Sequence, residues 1–174
     1  LGNNLTMNNV MITDNSSLRN GGGISTYAGI NILMRNVTIT GNTAVWDGGG
    51  IYADSGTNGL INIVNSIVNN NIQDQDGGDI YVSDGISGSI IASFSNIGGV
   101  DCGCSYEWCC DWEGEGNNYD DPMFTNPGNG GYSLQPDSPC IDAGTSYFEY
   151  NGEIVYNLSP DEYEGFAPDI GPWE

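Results

Sequence analysis

Three carboxylates alternate with glutamine and glycine in the run Asp74-Gln75-Asp76-Gly77-Gly78-Asp79. Acids at alternate positions, followed by glycine, suit a hard cation: oxygen ligands wrap the ion while the glycine makes the turn. The spacing nominates Asp74, Asp76 and Asp79 as a calcium site. No glutamate stands where an EF-hand loop would close, and the plain alternative is a solvated turn. Asp161, Glu162 and Glu164 form a weaker cluster of the same kind. Asp120, Asp121, Asp142 and Asp169 are of the type that caps turns with its own carboxylate.

A second constellation is Cys102, Cys104, Cys109 and Cys110, four of the five cysteines within nine residues. In an exported chain such a cluster reads as two disulfides pinning a loop. Three pairings are open, and a bond between the adjacent Cys109 and Cys110 is disfavoured by strain. A zinc site of four thiolates is the rival, but its ligands are usually separated by two or more residues. Cys140 is left over and is expected as a free, small, buried hydrophobe.

Catalytic chemistry is harder to assemble. The chain has no His and no Lys, and its two cations are Arg19 and Arg35. A polysaccharide lyase needs a base beside a cation that neutralises the substrate acid. A hydrolase needs two facing carboxylates. Asp47 and Asp76 each precede a glycine turn and would stack about 4.8 Å apart in neighbouring coils, yet they reproduce no hydrolase motif. No catalytic residue is assigned, and the chain is read as not an enzyme. The 23 acids give a net charge of −21, which repels nucleic-acid backbones and anionic lipid. No apolar run approaches the length of a membrane span.

The elements that must position these residues come from a repeat. Gly21-Gly22-Gly23-Ile24 is followed by Gly48-Gly49-Gly50-Ile51 and by Gly77-Gly78-Asp79-Ile80, where Asp79 replaces the third glycine. Two asparagine series keep the same steps of 27 and 29 residues: Asn9, Asn36, Asn65 and Asn15, Asn42, Asn71. Constant spacing with one loop insertion is the mark of a solenoid. Runs such as Val37-Thr38-Ile39-Thr40 have the β-branched, alternating character of strands. The period fits one coil of a right-handed parallel β-helix with three short strands per coil. Glycine supplies sharp turns and close backbone approach. Both asparagine series are expected as ladders, each amide bonding its equivalents in the coils above and below. Ile12, Ile39 and Val68 should form one interior row, and Ile24, Ile51 and Ile80 another. Leu5 to about Ile97 is thus read as β-helix, and 98–174 as a Cys-rich, loop-rich closing segment.

These glycine and asparagine repeats resemble those of polymorphic outer-membrane-protein-like, pectin-lyase-like β-helices. Gly114 to Phe124, Tyr132 to Gly144 and Pro168-Asp169-Ile170-Gly171 resemble the terminal segment of large secreted bacterial β-helix proteins. The resemblance covers most of residues 5 to 171. It implies an extracellular or cell-surface protein whose last segment closes the C-terminal end of the helix, and it implies no reaction.

The functional expectation is a non-catalytic extracellular structural protein, a surface or fibre component. No capping segment precedes Leu5, so either further coils lie upstream or a second subunit stacks there, head to tail. The rival is a glycan-binding or adhesive module using Tyr27, Tyr52, Tyr81 or Trp46 as a stacking face. Sequons occur at Asn4, Asn15, Asn36 and Asn157. Asn15 and Asn36 belong to the ladders, which leaves Asn4 as the candidate glycan site.

Overall fold

A computed structural model describes residues 4–27, 30–54, 60–74, 78–83, 90–103, 112–150 and 152–171. Among them there is no α-helix, only strands and one 3-10 turn at Pro127–Asn129. The first repeat holds β1 (Asn4–Thr13), β2 (Ser16–Ser17) and β3 (Ile24–Thr26). The second holds β4 (Asn31–Thr40), β5 (Thr43–Ala44) and β6 (Ile51–Ala53). The third holds β7 (Ile61–Val64), β8 (Ile67–Val68), β9 (Ile72–Gln73) and β10 (Ile80–Val82).

Each strand pairs in parallel with its equivalent one repeat on. Ile12 stands beside Ile39, Ile39 beside Val68, Ile24 beside Ile51 and Ile51 beside Ile80. The result is a solenoid-like stack with three parallel sheets. Its interior is a single apolar cluster that includes Ile32, Met34, Val37, Ile39, Ile51 and Ile80. Burial removes these side chains from water, at about 1.5–3 kcal/mol for each fully buried Val, Ile or Met.

The sheets continue past Ile97. A fourth repeat carries β11 (Ile90–Ser93), β12 (Asn96–Ile97) and β13 (Val100–Cys102), and β14 (Trp112–Glu113) adds one more rung beside β11. The fourth repeat skips the second face. That sheet runs only β2-β5-β9, whereas β13 already pairs with β10.

Glycine at the second corner answers two needs. Gly48 adopts φ +66, and a Cβ on Gly49 would lie 2.6 Å from the Ile72 nitrogen of the next repeat. A side chain at either position is excluded, by backbone conformation at one and by close approach at the other.

Beyond the stack come two antiparallel hairpins, β15 (Phe124–Asn126) with β16 (Gly131–Leu134), and β17 (Tyr147–Tyr150) with β18 (Glu153–Asn157). The resemblance implied a plug on the end of the helix. Residues 112–120 do extend the end, but residues 122–171 instead fold back along the flank. Phe124, Tyr132, Cys140 and Ile170 form a second apolar cluster with Ile67, and Met11 packs against it. Met11, Thr38 and Ile67 share one register row and project opposite to the interior residues on either side of them. The returning segment is what buries that outer row.

Candidate functional site

The two asparagine series lie at different corners. At the corner after the long strands, Asn15 donates its backbone N–H and its Nδ2 to Asn42 Oδ1, both at 3.0 Å. Asn42 donates likewise to Asn71 Oδ1, at 3.1 and 2.9 Å. Each amide also returns a bond to a strand carbonyl, as Asn42 does to Ile12 at 2.8 Å. Asn42 is fully buried. The bonds from each asparagine to the next side-chain oxygen run one way along the stack, so the last rung needs an acceptor that has nothing to donate. Asp79 fills that place: its Oδ1 accepts from the Asn71 N–H at 2.7 Å and from Asn71 Nδ2 at 2.8 Å.

The departure from the glycine triplet at Asp79 is therefore the end stop of the ladder, placed where the fourth repeat skips the second face. An ionised carboxylate is acceptor only. Burial nevertheless raises its pKa to about 6, against the lowering effect of the Asn71 bonds. The other oxygen lies against Gly98, where any Cβ would collide with it.

The second series does something else. Asn9, Asn36 and Asn65 adopt φ of 52, 50 and 48. They break the inside–outside alternation of the long strand: Ile32 and Met34 are buried before Asn36, Val37 and Ile39 after it. Asparagine tolerates this left-handed conformation better than other non-glycine residues. The expected ladder is not formed here. Asn36 Oδ1 accepts from the Tyr156 hydroxyl at 2.8 Å, and Asn65 exchanges bonds with Thr145 at 2.7 and 2.8 Å. A left-handed residue turns its side chain toward the flank, where the returning segment lies, rather than along the stack.

The row has a fourth member that carries no asparagine, Phe94 at φ 49. Its ring lies against Gly116, where a Cβ would come within contact distance of it. Its register with Asn65 was the only available signal. A polar row was also missed. The Val37 N–H donates to Ser66 Oγ at 3.0 Å, the Ser66 N–H to Ser95 Oγ at 3.2 Å, and the Ser95 N–H to Asn117 Oδ1 at 3.0 Å. The change from Val37 to serine conceals it in the sequence.

The flank is tied down by carboxylates and tyrosines. The Tyr132 hydroxyl donates to Asp14 Oδ1 at 2.6 Å. Its pKa is pushed up to about 12, first by burial and then by that bond and charge. Asp142 Oδ1 accepts from the Phe166 N–H at 2.7 Å, Asp169 Oδ1 from the Asp142 N–H at 2.8 Å, and Asp121 Oδ1 from the Met123 N–H at 2.9 Å. Asp121 therefore caps its own turn as expected, whereas Asp142 and Asp169 tie together stretches 24 and 27 residues apart. Cys140 is free and fully buried, and burial lifts its thiol pKa to about 11.

Of the calcium candidates, Asp74 is exposed, Asp79 is committed to the ladder and Asp76 lies outside the described residues. Cys104, Cys109 and Cys110 also lie outside them, and of Cys102 only the backbone is described. Asn4 is exposed on β1, its Oδ1 accepting from Asn31 Nδ2 at 3.2 Å. The tyrosines form a row of their own. Tyr52 and Tyr81 stack with centroids 5.8 Å apart and ring planes 9° apart, while Tyr27 tilts over Tyr52 at 6.0 Å. Tyr52 is buried, so a sugar ring has no access to its faces, and Arg19 lies over the Trp46 ring at 5.4 Å.

Residues 36–54 match the Chlamydia polymorphic membrane protein (Chlamydia_PMP) repeat. The match is short. It spans the left-handed turn at Asn36, the ladder rung at Asn42 and the triplet Gly48-Gly49-Gly50. No curated protein and no solved structure matches the chain. Among the described residues, no helix is long and apolar enough to cross a membrane.

Proposed function

We propose that this chain is part of a right-handed parallel β-helix of a bacterial cell surface and that its work there is structural rather than catalytic. One observation carries the reading. The stretch that matches a polymorphic membrane protein repeat supplies the turn, the rung and the glycine corner on which strands pair one repeat apart. Asp79 is engaged in the ladder, and Asp121, Asp142 and Asp169 in backbone bonds of the C-terminal segment, and the chain offers no His or Lys as a base. End-to-end association belongs to the same reading, because stacked parallel strands add further strands through their backbone edges. Two disulfides among Cys102, Cys104, Cys109 and Cys110 fit an exported protein.

Electron microscopy of the native protein tests the architecture. Rods or filaments with a rise of about 4.8 Å per repeat are expected, and compact globules would refute the proposal. Incubation with a polysaccharide panel checks the non-catalytic part, since the appearance of cleaved products would overturn it. For the disulfides, alkylation of the unfolded, unreduced protein should modify Cys140 alone. Five modified thiols would exclude both bonds.

A further inference from the structure

The two cations of this acidic chain are used differently. Arg19 covers Trp46. Arg35, on β4, lines a cleft of about 420 Å³ between the long strands and β18. Among the described residues no ion pair to Arg35 is formed, and its Nε is buried without a hydrogen-bond partner. Folded proteins rarely leave such a donor unmatched, and this chain has 23 acids from which to match it.

Val155, Leu158 and Pro168 give the cleft an apolar side, and the remaining lining is polar. Asn9 and Asn36 reach the cleft because both sit in the left-handed row. Asn36 is fixed by the Tyr156 hydroxyl. Asn157 adds an exposed amide from the end of β18. Glu162 stands at the same cleft with its Oε2 held by the Ser159 N–H at 2.9 Å and the Ser159 hydroxyl at 2.7 Å, bonds that lower its pKa. Arg35, with no ion pair among the described residues, therefore lines the same cleft as several amides and one acid already anchored to its own loop.

We propose that this cleft binds a sugar acid, a single polyhydroxylated ring carrying one carboxylate. The carboxylate is taken by Arg35, whose planar fork matches it with two parallel bonds. The hydroxyls are taken by Asn9, Asn157 and Glu162. Amides both donate and accept, as hydroxyls do, while an ionised glutamate accepts only. The volume lies within the range of small-ligand sites. The net charge of −21 selects for a single charge: a polyanion meets the whole field of the protein, whereas one carboxylate close to Arg35 is screened from acids beyond about 8 Å at physiological salt. The inference goes beyond the structural reading above and does not depend on it.

Calorimetric titration with glucuronate tests it, with glucose and acetate as comparators. Saturable binding of glucuronate is expected, with glucose and acetate each far weaker. Arg35→Gln should weaken binding about tenfold or more, as loss of a charge-assisted bidentate pair implies, with its melting temperature measured alongside. Asn157→Ala and Glu162→Gln, both at exposed positions, should weaken it severalfold and keep the site assigned if Arg35→Gln fails to fold. Absence of saturable binding overturns the proposal. So does undiminished binding in a folded Arg35→Gln protein, or in both exposed variants. Glucose binding as well as glucuronate would refute the role of Arg35, and acetate binding as well would refute the role of the amides.

Discussion

At one corner of each repeat Asn15, Asn42 and Asn71 bond one another. At the other corner Asn9, Asn36 and Asn65 share the same spacing, yet their side chains face the flank, and Asn36 and Asn65 bond the returning C-terminal segment. The first corner uses the amide and is closed by a carboxylate. The second uses the tolerance of asparagine for positive φ and hands its side chain to residues 122–171. One residue type at one period thus serves two purposes, and the backbone conformation at each corner separates them. The first corner adds to the cohesion that the interior cluster gives the stack, and the second adds to the attachment that the outer apolar cluster gives the flank.

The comparison is broken most severely at Asn42. Asn42→Ala removes the acceptor for Asn15, the Nδ2 donor to Asn71 Oδ1 and the bond to the Ile12 carbonyl, leaving only the backbone N–H on Asn71. With buried partners left unmatched, a loss of about 3–4 kcal/mol is expected in urea denaturation. Asn42→Gly should be no milder, because this corner needs the amide itself. A loss under about 1 kcal/mol would mean that the ladder carries no stability.

The end stop gives the next effect, read through pH. The folded-state pKa of Asp79 is raised from 3.8 to about 6, so the native protein binds this proton more tightly than the unfolded chain. Its contribution is fully present below about pH 4 and is lost as pH rises to about 6, a span of about 2–3 kcal/mol. Asp79→Asn has no such proton. Unfolding free energies of the two proteins from pH 3.5 to 7.5 should diverge across that window and run parallel above it. Parallel curves throughout would remove Asp79 from a buried rung.

The smallest effects belong to the second corner. Asn36→Gly keeps the backbone conformation and loses only the Tyr156 bond, about 1 kcal/mol. Asn36→Ala adds the left-handed penalty and should reach about 2 kcal/mol. Tyr156→Phe should match Asn36→Gly, all three being compared by chemical denaturation. If Asn36→Gly proves as harmful as Asn36→Ala, the amide rather than the φ angle matters there, and the two corners are alike after all.

The register of the stack was legible before any coordinates, because a fixed period forces Ile12, Ile39 and Val68 into one row. The flank was not legible: the outer row of Met11, Thr38 and Ile67 meets residues that lie far along the chain, Phe124, Tyr132, Cys140 and Ile170. The Arg35 cleft was not legible, since its lining comes from Asn9, Asn36 and Asn157, far apart in the chain.

By itself the sequence determined the repeat, the interior rows, the glycine corners and a net charge of −21. Those properties follow from periodicity and composition, which every residue of a row shares. Tertiary structure alone decided which asparagines bond each other, that Asp79 closes their ladder rather than standing with Asp74 in an open turn, and that residues 122–171 run back along the stack. Each of those outcomes depends on the sign of a φ angle or on a contact between distant segments, neither of which residue spacing encodes.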